Sequence, residues 1–216
     1  MNGPLIVNAL AGLLIVTSLL VTMAINATRA ARLYAAQSLV LVLIFLTLAY
    51  THGAHELYWW SVSAFVTKVV LVPWIMLRTL ATLPETEDLP GVLSPAVLIV
   101  VAALIVGLSC YAVSSVHLAV VDPLKPALGV SLGHFLLGLV CIVSQRNLLK
   151  QVFGFCLMEN GSHLTLALLA WRAPELVEIG IATDAVFAVV IMVVLVRRIQ
   201  RSMNTLDVRQ LTALKG

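Results

Sequence analysis

The sequence predicts an all-α, polytopic integral membrane protein with about seven transmembrane helices. Of its 216 residues, 61% are hydrophobic and 11% are charged, whereas a soluble domain carries about 25% charged residues. The apolar runs are continuous and close to the length of a membrane-crossing helix, while the strands of a membrane barrel would alternate apolar and polar residues. These observations exclude a soluble globular domain and a membrane barrel.

Each predicted span is an apolar run near the length that crosses the hydrocarbon core as a helix, with ends placed to within a few residues. The seven runs cover residues 5–25, 33–50, 57–77, 92–113, 127–144, 152–171 and 176–196. Within the third run, Pro73 follows Lys68 by five residues. A proline inside a helix removes a backbone hydrogen bond, so we expect a kink that opens space beside this lysine.

Positive charge predicts the orientation of these spans. The basic residues after the first, third, fifth and seventh spans are Arg29, Arg32, Arg78, Arg146, Lys150, Arg197, Arg198, Arg201, Arg209 and Lys215. The positive-inside rule places them in the cytoplasm, which gives an N-out, C-in topology. Contact of these residues with anionic lipid accounts for the net charge of +3, and no patch indicates nucleic-acid binding.

Ionisable residues inside the spans are the candidate functional residues, because a charge near the bilayer centre costs roughly 2.5–3.5 kcal/mol. On the sixth span, Glu159 and His163 are four residues apart and share a helix face, so they can exchange a proton directly or through water. Asp184 on the seventh span offers a second polar step, and Lys68 and His134 extend the line. We expect these five residues to form a proton relay.

Each of these residues also fits a structural role. A buried carboxylate or histidine can serve as a hydrogen-bonded packing contact. Lys68 is either a protonatable relay site or the countercharge of an acid on another subunit, and His134 beside Gly133 also fits a helix-packing histidine.

Motifs for other chemistry are absent from the sequence. No segment resembles a phosphate-binding loop, a hydrolase nucleophile elbow or a cofactor fingerprint. Cys110, Cys141 and Cys156 lack paired spacing and are typical of small packing residues. We therefore expect no catalytic residue, no cofactor and no metal in this chain, and any redox chemistry would belong to other subunits.

The C-terminal part carries a family resemblance. The runs RNLLKQVFG at residues 146–154 and LMENGS at residues 157–162 resemble the NuoK subunit of respiratory complex I and the related MrpC antiporter subunit, as do Thr183-Asp184-Ala185 and the tail beginning at Leu206. The resemblance indicates a three-helix membrane region over residues 127–216, preceded by a four-helix membrane region over residues 1–126.

The whole chain resembles the hydrogenase-4 component E family, membrane subunits of group 4 [NiFe] hydrogenase and formate hydrogenlyase complexes, including the run MENGSH at residues 158–163. This resemblance implies a multi-pass protein of the bacterial cytoplasmic (inner) membrane. It implies partners among the antiporter-like and anchor subunits of a complex I-like assembly, besides the lipid bilayer. The function it implies is a non-catalytic subunit with an intramembrane polar relay for H⁺ or Na⁺.

The resemblance also assigns positions. The small-subunit family places a key glutamate on its second helix and another acid on its third. Asp184 falls where the third-helix acid is expected, whereas the second-helix glutamate aligns with Cys156, and Glu159 lies three residues further on. Either the relay is intact with a different geometry, or pumping through this segment has been altered or lost.

Two rival functions are compatible with the same sequence. The first is a purely structural scaffold that links the antiporter-like and anchor subunits. The second is an autonomous secondary transporter, which would need a substrate cavity and broken helices. The scarcity of mid-span Gly and Pro breaks argues against the transporter.

Overall fold

The computed structural model describes residues 3–83, 89–115, 122–170 and 175–211, and within the last range the side chains of residues 175–182, 184 and 185 are not described. The described chain is a bundle of helices. They are α1 (Gly3–Thr22), α2 (Ala27–His52), α3 (His55–Leu80), α4 (Pro95–Ser114), α5 (Lys125–Ser144), α6 (Leu148–Leu169), α7 (Glu175–Met203) and the short α8 (Val208–Leu211).

The predicted all-α, polytopic class is confirmed. Each of the helices α1 to α6 is long and apolar enough to cross a membrane. The seventh predicted span falls within α7, part of which lacks described side chains. The count of seven spans and the N-out, C-in orientation therefore stay predictions.

Local sequence signals explain where several helices begin and end. The Asn26 side chain caps α2 by accepting a hydrogen bond from the Arg29 amide at 2.8 Å, and Asn147 caps α6 by accepting from the Leu149 amide at 2.9 Å. These caps satisfy amides that have no partner within the first helical turn. Helix α2 ends at His52 and is followed by Gly53, whose φ of 62° is a left-handed conformation that glycine adopts without strain.

Helix α3 changes its winding in the middle. Residues Phe65–Leu71 form a π-helical segment, and Pro73 lies just beyond it. Proline has no backbone N–H and its ring crowds the carbonyl four residues earlier, so the regular hydrogen-bond ladder is interrupted there. The wider turn contains Lys68, whose side chain is buried, so the irregularity lies where Pro73 predicts a kink.

Helices α5 and α6 pack backbone against backbone at glycines. A Cβ atom on Gly138 would collide with the Met158 backbone nitrogen, and one on Gly161 would lie 2.5 Å from the backbone nitrogen of Phe135. Side-chain carbons do not tolerate approaches as close as these. Small residues at a helix–helix contact allow the two backbones to come together, and this contact fixes the face that α6 presents to α2 and α3.

The C-terminal segment folds back onto the loop between α5 and α6. The Val208 amide donates to the Arg146 carbonyl at 2.9 Å, and the Leu148 amide donates to the Leu206 carbonyl at 3.2 Å. Beside these bonds, the Arg146 guanidinium pairs with the Asp207 carboxylate. The hydrogen bond from Arg146 lowers the pKa of Asp207 below its usual value.

The core consists of two apolar clusters with polar residues between them. One cluster includes Leu14, Val40 and Leu164, and the other includes Val21, Tyr34 and Leu157. On α1, α2, α3, α5 and α6 the chain passes from one cluster to the other through polar residues. We call this set the polar layer: Ser18, Gln37, Ser38, Lys68, His134, Glu159, Asn160 and His163.

Candidate functional site

Lys68 is the centre of the polar layer. Its side chain is 2% exposed, and its Nζ lies 3.1 Å from Glu159 Oε1, 2.7 Å from Asn160 Oδ1 and 2.5 Å from His163 Nδ1. An ammonium group has three hydrogens to donate, so these contacts use its full capacity. All three acceptors belong to α6, which faces the π-helical segment of α3.

The spacing of the three α6 residues explains why they converge. Positions 159, 160 and 163 share one side of a helix because residues three and four apart are neighbours. His163 Nε2 lies 3.6 Å from Glu159 Oε1, so the carboxylate is close to both the lysine and the imidazole. Asn160 is fully buried, whereas the Glu159 side chain is 13% exposed. Glu159 is thus the most exposed member of this group, and the His163 side chain is 10% exposed.

Hydrogen bonds continue the polar layer from Asn160 to α1. Asn160 Nδ2 donates to Gln37 Oε1 at 2.9 Å, and Gln37 Nε2 lies 3.1 Å from His134 Nε2. On the other side of the ring, His134 Nδ1 lies 2.8 Å from Ser18 Oγ, which donates to the Leu14 carbonyl at 2.6 Å. The chain of contacts therefore connects α3, α6, α2, α5 and α1.

The donor and acceptor of each hydrogen bond from Lys68 to Ser18 can be assigned, because the groups at both ends of this series have fixed roles. The Lys68 ammonium can only donate, so Asn160 presents its oxygen to the lysine and its amide nitrogen to Gln37. Gln37 then presents its own nitrogen to His134, whose Nε2 must accept. The His134 hydrogen is therefore on Nδ1 and is donated to Ser18. We assign this tautomer from the network of partners.

Of the five predicted site residues, three are in mutual contact, one is joined to them through other side chains, and one has no described side chain. Lys68, Glu159 and His163 are in mutual contact, and His134 is joined to them through Asn160 and Gln37. The acid that faces Lys68 is on the same chain. Asp184 belongs to α7, and its side chain lies outside the described residues.

Sequence reasoning missed Gln37 and Ser18 as members of the site. Gln37 lies near the middle of the apolar helix α2 and is fully buried. A buried amide is costly unless it is hydrogen-bonded, so a glutamine in an apolar span was a usable signal. Ser18 gave no such signal, because serine in a membrane helix often bonds only to its own backbone, as Ser18 also does.

Cys156 occupies the position where the small-subunit family resemblance expects a glutamate, and it lies outside the polar layer. It is 1% exposed and belongs to the apolar cluster that contains Tyr34 and Leu157. Glu159, one turn further along α6, reaches Lys68 instead. Within the described part of the chain, no group of three or more His, Cys, Asp or Glu side chains is arranged to hold a metal ion.

Comparison with known proteins identifies the family. Residues 126–216 match the family model of NADH-ubiquinone/plastoquinone oxidoreductase chain 4L. The chain is 58% identical over 216 residues to hydrogenase-4 component E of Escherichia coli strain K12 and of Shigella flexneri, with 100% of each chain covered. It is 25% identical to an uncharacterised protein of Mycobacterium tuberculosis, covering 99% of this chain and 98% of that protein. No solved structure matches the chain. The chain belongs to the hydrogenase-4 component E family.

Proposed function

We propose that this chain is a membrane subunit of a complex I-related hydrogenase in the bacterial inner membrane, and that its polar layer carries one step of proton translocation. The redox chemistry that drives the step would occur in other subunits. The names of its relatives and its apolar helices support the first part. The contact of Lys68 on α3 with Glu159 and His163 on α6, within two apolar helices long enough to cross a membrane, carries the second part.

Stability alone does not explain a lysine–glutamate pair at this depth. Removing each ion from water costs several kcal/mol, and replacing a buried pair by apolar residues is often neutral or stabilising. Lys68 also lies on the π-helical segment, and such segments are frequent at functional sites. A role in moving protons gives a reason for a costly arrangement.

In the proposed step, a proton from outside the chain binds the Glu159 carboxylate, the most exposed member of the group. Protonation cancels the negative charge that faces Lys68, so the ammonium passes a proton to His163 Nδ1. His163 then releases the hydrogen on Nε2 to the next acceptor. The sequence offers Asp184 as that acceptor.

The chemistry of the group favours H⁺ over Na⁺. The Lys68 ammonium already occupies the position between the Glu159 and Asn160 oxygens, where a sodium ion would have to bind. A sodium ion bound to the same oxygens would be repelled strongly by the Lys68 ammonium, because the polar layer lies between two apolar clusters that screen charge poorly.

His134 has an orienting role in this proposal. It is joined to Lys68 only through the carboxamides of Asn160 and Gln37 among the contacts described. A carboxamide holds its hydrogens and does not titrate as an imidazole or a carboxylate does. The chain of bonds therefore keeps the Asn160 oxygen directed at Lys68 and extends the polar layer to α1.

Ion translocation in membrane vesicles that carry the assembled complex tests this function. At matched subunit content, we expect Glu159→Gln to lower the translocation rate roughly a hundredfold, the scale of a lost acid–base group, while hydrogenase activity is retained. Glu56→Gln is the matched control, since Glu56 is an exposed carboxylate at the start of α3, and it should behave as wild type.

Two results would contradict the proposal. Normal gradient formation by Glu159→Gln would remove the carboxylate from the ion path. Loss of assembly, with normal translocation by the complexes that do form, would instead assign this chain to the scaffold role.

A further inference from the structure

A second polar site lies at the C-terminal end of α3, away from the polar layer. A cavity of about 360 Å³ opens between the C-terminal ends of α3 and α7. Its lining residues are Thr82, Leu83, Arg197, Gln200, Arg201 and Asn204. None of the described residues that line it is acidic, whereas two are arginines.

The arginine nearest α3 is held in place by that helix. Arg197 Nη2 donates to Thr79 Oγ1 at 3.3 Å, and the Thr79 hydroxyl donates to the Ile75 carbonyl at 2.8 Å. Thr79 is buried, so this contact anchors one edge of the guanidinium between the two helices.

Two polar atoms of the residues that line the cavity lack partners. Arg197 Nε and Gln200 Oε1 are buried, and neither has a hydrogen-bond partner within the described residues. Buried polar groups without a partner are rare in native proteins, and one accepted explanation is a bound ion or water. An anion in the cavity would accept from the Arg197 donor, whereas the Gln200 oxygen is itself an acceptor and would need a donor such as water.

The lining selects an anion with several acceptor oxygens. The planar guanidinium groups of Arg197 and Arg201 match the geometry of phosphate, to which arginine often donates two parallel hydrogen bonds. The carboxamides of Gln200 and Asn204 and the hydroxyl of Thr82 add short polar groups around it.

The position of the cavity indicates where the phosphate comes from. Arg197 directly follows the apolar part of α7, on which Ile191, Val194 and Leu195 are all more than half exposed. The positive-inside rule predicts that this end of α7 is cytoplasmic. Basic pockets between membrane helices on that side bind anionic headgroups, and the exposed apolar residues would contact the acyl chains.

We propose that this cavity binds a phosphate-bearing anion, with the headgroup of an anionic phospholipid as the source that its position beside the exposed apolar residues of α7 favours. A bound phosphate would join Arg197 of α7 to the end of α3 and hold these two helices together. The proposal is independent of proton transfer in the polar layer.

The test is native mass spectrometry of the full-length chain released from nanodiscs of mixed phosphatidylglycerol and phosphatidylcholine. We expect one retained phosphatidylglycerol in the wild type and a roughly tenfold or greater loss of affinity in Arg197→Gln, the scale of a lost charged hydrogen bond. Arg198→Gln is the matched control, because Arg198 is exposed, adjacent and not among the lining residues.

A second arm distinguishes the source of the phosphate. Added inorganic phosphate that displaces the lipid in the wild type, but does not bind Arg197→Gln, would support the site and assign it to a free anion. Equal lipid retention by Arg197→Gln and Arg198→Gln would overturn the proposal.

Discussion

At the residue scale, Lys68 and Glu159 depend on each other. Lys68 is 2% exposed. If either residue of the pair were removed, the charge of the other would have little access to water. Removing one member of a buried pair typically costs about 3–5 kcal/mol, whereas exposed pairs contribute about 0–1 kcal/mol. The partial exposure of Glu159 places this pair toward the lower end of the first range.

Lys68→Met should therefore lower the free energy of unfolding by about 3 kcal/mol. Lys125→Met is the control, since Lys125 pairs with Asp122 at the surface, and it should cost less than about 1 kcal/mol. The double variant Lys68→Met with Glu159→Gln should recover part of the loss. Denaturant unfolding of the full-length chain measures all three. Equal losses in the two lysine variants would show that Lys68 has no special partner.

The residues of the site could be predicted from the sequence, but their contacts could not. Lys68, Glu159 and His163 are conspicuous because each is ionisable within an apolar run. The lysine and the glutamate are 91 positions apart, and nothing in the local pattern indicates that the Lys68 side chain reaches α6. The amide of Gln37 completes the network and costs less to bury than a charge, so it was less visible.

At the element scale, the α5–α6 contact sets the position of the site. The glycines of this contact let the two backbones touch, and the other side of α6, which faces α2 and α3, carries Asn160 and His163. A longer distance between α5 and α6 would separate His134 from Gln37. The glycine contact and the polar layer are therefore parts of one arrangement.

Gly161→Ala should destabilise the protein by about 1–3 kcal/mol, because the new methyl group would meet the Phe135 backbone. Gly107→Ala in α4 is the control, since nothing lies within 4 Å of the position that its new methyl group would take. Helix propensity predicts a gain of about 0.5–1 kcal/mol for it. Unfolding of both variants tests the comparison. A similar response at the two glycines would contradict the close packing of α5 on α6.

The C-terminal segment provides a pH-dependent contact. The hydrogen bond from Arg146 lowers the pKa of Asp207. The pair therefore contributes stability above the ordinary aspartate pKa of about 3.9, and this contribution is lost as the pH falls through the lowered value. The wild type should exceed Asp207→Asn in stability near neutral pH, and the difference should shrink below about pH 4. Thermal unfolding against pH measures it, and a constant difference would exclude the ion pair as its cause.

Element boundaries illustrate what local sequence encodes. Asn26 and Asn147 accept hydrogen bonds from backbone amides in the first turns of α2 and α6, which have no partner within the helix. Hydropathy indicated each apolar run. The π-helical segment at Phe65–Leu71 could be anticipated only as a kink near Pro73. This segment packs against α2 and α7, and local sequence does not report such tertiary contacts.

At the scale of the whole molecule, the polar layer lies between two apolar clusters. Residues from α1, α2 and α3 meet residues from α5 and α6 in it, so it joins the predicted four-helix region to the predicted three-helix region. The apolar clusters on both sides separate the layer from bulk water along the bundle. Continuous hydropathy predicted the membrane class, but the assembly of a site from both regions depends on helix packing, which hydropathy does not report.

The central claim is that Glu159 changes its protonation state during turnover. Infrared difference spectroscopy of the assembled complex in membranes observes this directly, because a carboxyl group gains a distinct stretching band when it binds a proton. We expect a turnover-dependent carboxyl band in the wild type and in Glu56→Gln that is weakened or lost in Glu159→Gln. An unchanged band in Glu159→Gln, with hydrogenase activity retained, would contradict the account.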